Sequence, residues 1–160
     1  MKIFITGINS FIGANLARYL SVEKHQIYGS VSNENKLADK KEVIKGTYLI
    51  KLDRPFDENI INKMDVIIHC AHDSSRNSLE KNINGTIAIS EAARNKNNKQ
   101  IFISSYSAHK NNSTDYGKVK STLEKYFVNE GHVVIRPGLV VGYGGLFLKI
   151  FKLMKKLPVM

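Results

Sequence analysis

The sequence predicts a doubly wound α/β protein: a parallel sheet of about six strands with helices on both faces. Three observations carry that expectation. Short β-type runs alternate with longer amphipathic stretches along the chain. Runs such as Asp65-Val66-Ile67-Ile68-His69-Cys70-Ala71 are apolar on both faces, as a parallel sheet covered on both sides requires. A glycine-spaced turn, Thr6-Gly7-Ile8-Asn9-Ser10-Phe11-Ile12-Gly13, sits between the first run and the first amphipathic stretch.

The elements follow in order. Residues 2–6 form the first strand. Residues 11–20 follow as a helix, with Phe11, Ile12, Leu16, Tyr19 and Leu20 on one stripe. Strands are predicted over 26–31 and 65–71 and, with a weaker pattern, over 47–52. A helix over 79–94 runs through Ile83, Ile87 and Ala92. A strand over 100–105, a helix over 116–127 and a strand over 132–135 complete the alternation. The polar stretches 32–42 and 95–99 read as surface connections. Residues 142–145 are a glycine-rich loop, and 146–157 a basic amphipathic helix before Pro158. Its apolar residues Phe147, Ile150, Phe151 and Met154 suit packing on a further lobe better than a membrane surface.

Size and composition set the bounds. The chain has 160 residues, 42% hydrophobic and 24% charged, enough to bury a core without disulfide or metal. A disordered tail, a fibrous repeat and a disulfide mini-protein are excluded. The net charge of +10 admits anionic partners. It is spread without arginine clusters or interleaved aromatics, so no nucleic-acid partner is expected. Five scattered histidines and the single cysteine, Cys70, give no metal site. Cys70 reads as a small apolar residue rather than a nucleophile. Neither a signal segment nor a membrane-spanning run is visible. The cytoplasm is therefore the expected location, with no membrane partner.

Two groups of residues carry chemistry. In the first turn, Gly7 permits the tight bend and Gly13 lets the helix pack closely, while the helix N-terminus offers N–H groups to a pyrophosphate. Ser10 stands where a middle glycine is usual and can donate its hydroxyl to phosphate. At the end of the second strand, Ser30, Val31, Ser32 and Asn33 stand where an acid would bind a ribose 2′-hydroxyl. Glu34 lies just beyond, and Lys36 and Lys40 are near. That set predicts NAD or NADP as cofactor, with a lean to NADP. The second group is Tyr116 and Lys120, one helical turn apart. Lys120 lies in a stripe continued by Leu123 and Phe127, either as a lysine whose head escapes to solvent or as a partner of the tyrosine. A cation beside a phenol favours phenolate, the form that takes a proton from a hydroxyl. Ser105, at the end of the fifth strand, would face the same crevice and hold a substrate oxygen.

In this order the residues resemble the short-chain dehydrogenase/reductase superfamily, in its extended branch of nucleotide-sugar epimerases and dehydratases. The resemblance runs through Thr6-Gly7…Gly13, Asp53, residues 65–71, Asn82-Ile83-Asn84-Gly85-Thr86, Ser104-Ser105, Tyr116…Lys120 and Arg136-Pro137-Gly138. It implies a Rossmann-type NAD(P)-binding domain over residues 1–140. Residues 141–160 would open a C-terminal substrate-binding region of which most is lacking. Gly7, Ser10, Phe11, Ile12 and Gly13 would line the pyrophosphate, Asp53 would meet the adenine, and Cys70 and Ala71 would pack along the cofactor. Asn82, counted with the cofactor-binding set, would be a structural or relay residue on the middle helix. Ser105, Tyr116 and Lys120 would be the catalytic set, with Lys120 also holding the nicotinamide ribose. The implied activity is epimerisation, dehydration or reduction of a nucleotide-activated sugar, in a possible homodimer. The departures are Ser10, a short gap from Ser105 to Tyr116, and His72-Asp73 where small residues are more usual. A dinucleotide-binding module without turnover, acting as a sensor or assembly subunit, is the alternative.

Overall fold

In the computed structural model, residues 1–33, 43–94, 98–109, 113–142 and 144–155 are described. The strands are β1 (Lys2–Thr6), β2 (Gln26–Val31), β3 (Gly46–Leu49), β4 (Val66–His69), β5 (Lys99–Ile103) and β6 (Val133–Ile135). The helices are α1 (Phe11–Val22), α2 (Glu58–Asn62), α3 (Leu79–Ala92), α4 (Asp115–Asn129) and α5 (Gly145–Met154). The six strands form one sheet in the order β3-β2-β1-β4-β5-β6, and every pairing is parallel. The chain winds outward from β1 to β3, returns to β4 beside β1, and winds the other way. That reversal opens a crevice at the carboxyl ends of β1 and β4.

Alternation along the strands covers the two faces. Ile3 and Ile5 of β1 join Ile27, Ile68 and Ala17 on the α1 side. Phe4 points the other way, to Ile61 of α2 and Ile89 of α3. Phe102 of β5 continues that second face, with its ring stacked 4.9 Å from Phe127 of α4. Burying each such side chain stabilises by roughly 1.5–3 kcal/mol.

The sequence expectations hold for the fold, with local differences. Tyr19 is not on the buried stripe of α1; it is 66% exposed, because the inward face belongs to Gly13 and Ala17. β3 ends at Leu49, short of the predicted residue 52. β4 ends at His69, because the Thr6 hydroxyl accepts the N–H groups of Cys70 at 3.1 Å and Ala71 at 3.0 Å. Those amides therefore leave the ladder. β5 ends at Ile103, and Ser105 instead caps a 3-10 turn (Tyr106–Ala108), accepting from the Ser107 N–H at 3.2 Å. The helix α2 carries no strong pattern in five residues; the Asp57 carboxylate starts it by accepting from the Asn59 N–H at 3.0 Å. Most of the predicted connections at 32–42 and 95–99, namely 34–42 and 95–97, lie outside the described residues.

Candidate active site

The glycine turn is built by contacts that exclude side chains. Gly7 has φ +63°, and a Cβ there would come within 2.8 Å of the Ala71 Cα. Only glycine lets β1 turn this close to the end of β4. A Cβ on Gly13 would meet the Gly7 carbonyl oxygen at 2.6 Å. Ser10 is the N-cap of α1: its hydroxyl accepts from the Gly13 N–H at 3.1 Å. The serine thus replaces the missing glycine with a cap, and its own O–H stays available as a donor. The Phe11 and Ile12 N–H groups lie in the first turn, where a helix has no internal acceptor. The Gly7 N–H points to the Ser30 hydroxyl at 3.3 Å, and the Ile8 N–H to the Ser30 carbonyl at 3.0 Å. The end of β2 therefore braces the turn.

The loop from β4 to α3 forms the opposite wall. Asn82, buried in α3, accepts from the Asp73 N–H at 2.7 Å. It donates to the carbonyls of Asp73 and Ser78, both at 2.8 Å. Its amide is spent on this loop. Gly85, one turn on, has no room for a Cβ against the backbone of Leu52, so α3 lies close under the β3–α2 connection. Lys81 pairs with Asp53 at 3.1 Å and with Asp73 at 2.7 Å. The lysine holds both carboxyls below the ordinary aspartate range, and they raise the lysine in return.

Lys120 and Tyr116 stand at the start of α4. The head of Lys120 does not escape to solvent as a surface lysine would. The residue is 4% exposed, and its Nζ donates to the Ile103 carbonyl at 2.7 Å. The ammonium lies 4.7 Å from the Phe102 ring centre and 5.7 Å from that of Tyr116. Burial pushes Lys120 down to about 8, while Cys70 and Glu124 oppose the shift. The Tyr116 ring packs edge-on against His72 at 4.8 Å and 89°. Burial, and then the Lys120 charge, lower the His72 imidazole, which stays neutral at pH 7. The thiol of Cys70 is pushed up to about 12 by burial, so it is no thiolate at neutral pH. Arg136 forks onto Glu124 of α4, tying the end of β6 to the helix that carries Tyr116 and Lys120.

A cleft of about 640 Å³ opens at the switch point, within the range of ligand sites. Of the residues expected around a dinucleotide, Gly7, Ser10, Ser32, Asn33, Asp53, Cys70 and Ala71 line it. Phe11, Ile12, Gly13 and Asn82 do not line it. The Phe11 ring lies under the loop of Gly142, Gly144 and Gly145, Ile12 packs on the core, the Gly13 N–H is capped, and Asn82 binds the loop behind. Tyr116, Lys120 and Ser105 are likewise outside the lining, and His72 is the lining residue that touches Tyr116. Lys51, Arg54, Asp73 and Lys81 also line the cleft, and nothing in the spacing of these single charged residues points to it. Glu34, Lys36 and Lys40 lie outside the described residues. Among the described residues no cluster of three metal-ligating side chains occurs, and no helix is long and apolar enough to cross a membrane.

The family model described as NAD dependent epimerase/dehydratase matches residues 3–131. The chain belongs to that family. One solved neighbour, from Bacillus halodurans, is described as a putative NAD-dependent epimerase/dehydratase. It is 18% identical with a TM-score of 0.75, over 91% of this chain and 74% of that one. A hypothetical dTDP-4-dehydrorhamnose reductase of Sulfolobus tokodaii is 23% identical, with a TM-score of 0.73 over 95% of this chain and 61% of its own. A UDP-glucose-4-epimerase of Stenotrophomonas maltophila, solved with NAD and formylated UDP-arabinopyranose, is 19% identical. Its TM-score is 0.66, over 86% of this chain and 52% of that one. At these identities the likeness carries the fold. No curated protein matches the chain.

The glycine turn and the β4–α3 loop line one cleft, and the Tyr116–Lys120 helix borders it through His72. That cleft suits a dinucleotide on its own geometry. It has a glycine cradle that a Cβ would fill, a capped helix start for a diphosphate, and apolar walls at Ile50 and Leu52 beside a carboxylate.

Proposed function

We propose that this chain binds a nicotinamide dinucleotide in the switch-point cleft and serves hydride exchange at a hydroxyl-bearing carbon of a nucleotide-activated sugar. The observation that carries the reading is His72, which lines the glycine-turn cleft and packs against Tyr116. It puts the nucleotide cleft and the phenol side by side. Gly7 and Ser10, at the start of α1, would hold the pyrophosphate. Asp53, between Leu52 and Arg54, would accept from the amino group of the base. When bound, the nicotinamide supplies the hydride acceptor. Tyr116 moves the hydroxyl proton, with the Lys120 ammonium 5.7 Å from its ring centre. Ser105, its oxygen already accepting from the Ser107 N–H, keeps its O–H for the substrate oxygen.

The end of β2 favours NADP over NAD. Ser32 and Asn33 line the cleft where an acid would repel a 2′-phosphate, and Lys51 and Arg54 share that cleft. The neighbours solved with NAD, the Stenotrophomonas epimerase and the Bordetella bronchiseptica enzyme WbmH, support the cofactor class.

Fluorescence titration with NADH and NADPH tests binding: saturation is expected, tighter for NADPH, and no saturation by either sinks the reading. Turnover of the parent and of Tyr116→Phe on a panel of UDP- and dTDP-sugars tests the chemistry. A loss of about a hundredfold or more is expected on removing a general acid–base group. Equal rates in the two proteins would take Tyr116 out of the mechanism.

A further inference from the structure

Lys81 is a costly residue where it stands. It is the third residue of α3 (Leu79–Ala92), at the helix end whose dipole disfavours a cation. Two carboxylates answer that cost, Asp53 at 3.1 Å and Asp73 at 2.7 Å, and all three side chains line the cleft. The two acids are not equivalent. Asp73 is an anchor: its Oδ2 meets Lys81, its Oδ1 accepts from the Ser75 N–H at 2.8 Å, and its backbone is held twice by Asn82. Asp53 stands on the opposite loop, beside Leu52 and Arg54, and meets Lys81 through Oδ2 alone. Its other oxygen keeps acceptor capacity for a ligand N–H. The order of support runs from Asn82 to Asp73, to Lys81, to Asp53.

We propose that Lys81 is a positioning residue that makes the base end of this cleft selective for a base with an exocyclic amino group. It fixes the Asp53 carboxylate, ionised and turned, against the anchored Asp73. A fixed carboxylate accepts from an amino group and repels a carbonyl at the same position. A carboxylate on a free side chain can rotate away from the carbonyl, and selectivity falls. Lys81 also offsets one of two negative charges in a cleft meant for an anionic diphosphate. The inference rests on dinucleotide binding in the cleft and adds the residue that sets the choice of base.

The probes are NADH and its hypoxanthine analogue, in which a carbonyl replaces the 6-amino group, both titrated by fluorescence. The parent is expected to prefer NADH by about tenfold or more, the scale of a charge-assisted hydrogen bond. Lys81→Met should shrink that ratio to within about threefold, and Lys81→Arg should keep most of it. In an Asp53→Asn background, Lys81→Met should leave the ratio unchanged, since it acts through Asp53. Thermal unfolding of each variant checks that it is folded. Should Lys81→Met fold poorly, Asp73→Asn, which loosens the same lysine, is expected to lower the ratio too. A parent that binds both dinucleotides alike overturns the inference and leaves the binding site standing. So does a folded Lys81→Met that weakens both equally. A parent that binds neither overturns both.

Discussion

His69 shows how one side chain ties the sheet to pH. It is 1% exposed at the end of β4, and its Nε2 lies 2.9 Å from the Gln100 Oε1. The Gln100 Nε2 donates to the Ser90 carbonyl, so Oε1 faces the ring and the imidazole must carry its proton on Nε2. Burial pushes His69 down from 6.5 to about 4. The unfolded chain takes up a proton near pH 6.5 that the folded chain refuses until about pH 4. Stability from this group is therefore complete above pH 6.5 and drains away as the pH falls through that window. At about 1.4 kcal/mol per pH unit the ceiling is about 3 kcal/mol. Urea unfolding of the parent and of His69→Gln, at pH 7 and pH 4, measures the difference. The parent should lose up to that amount more than the variant, whose amide can still donate to Gln100. Identical losses would count against a neutral buried imidazole.

At the scale of the element, the wall of the cleft is only as firm as Asn82. The β4–α3 loop has no ladder of its own, and Asn82 supplies its hydrogen bonds to Asp73 and Ser78 from one buried amide. Replacing it by Ala strands the Asp73 N–H, at about 1–3 kcal/mol, while the Asp73 carbonyl keeps the Ser78 hydroxyl and the Ser78 carbonyl keeps the residue-82 N–H. Asn82→Ala is expected to lower the free energy of unfolding by about 2 kcal/mol and to speed amide exchange across residues 72–78. Unchanged exchange there, with the same stability, would show that the loop holds itself. The Asn-x-x-Gly-Thr pattern was legible in the sequence, and so was a role for Asn82. Which groups its amide holds depended on where Asp73 comes to rest. The same holds for Ser10. A serine just before a helical run signals an N-cap, yet only the 3.1 Å contact with Gly13 shows that its oxygen accepts there and leaves the O–H as a donor.

At the scale of the whole molecule, the site exists because β1 and β4 are neighbours. Gly7 and Ala71 are far apart in sequence, and the turn touches the β4 end so closely that a Cβ does not fit. Gly7→Ala adds that overlap to a positive φ of +63°. It is expected to destabilise by about 2 kcal/mol and to abolish stabilisation by cofactor. In the parent, the better-binding reduced dinucleotide at a hundred times its dissociation constant should add about 2.7 kcal/mol to the unfolding free energy. Differential scanning calorimetry reads both effects; a Gly7→Ala protein that is still stabilised as fully as the parent would remove the turn from the binding site.

The sequence by itself determined the alternation of strands and helices, the doubly wound class, the glycine turn and the Tyr116–Lys120 spacing. Each is written in local periodicity or in the order of residues along one turn of chain. The tertiary structure decided which of these residues share the cleft. It sent the Lys120 head inward to the Ile103 carbonyl, placed His72 against Tyr116, and joined Asp53, Asp73 and Lys81 from three separate segments. Such meetings depend on strand order and loop path, and a lone charged residue has no period from which its partner could be read.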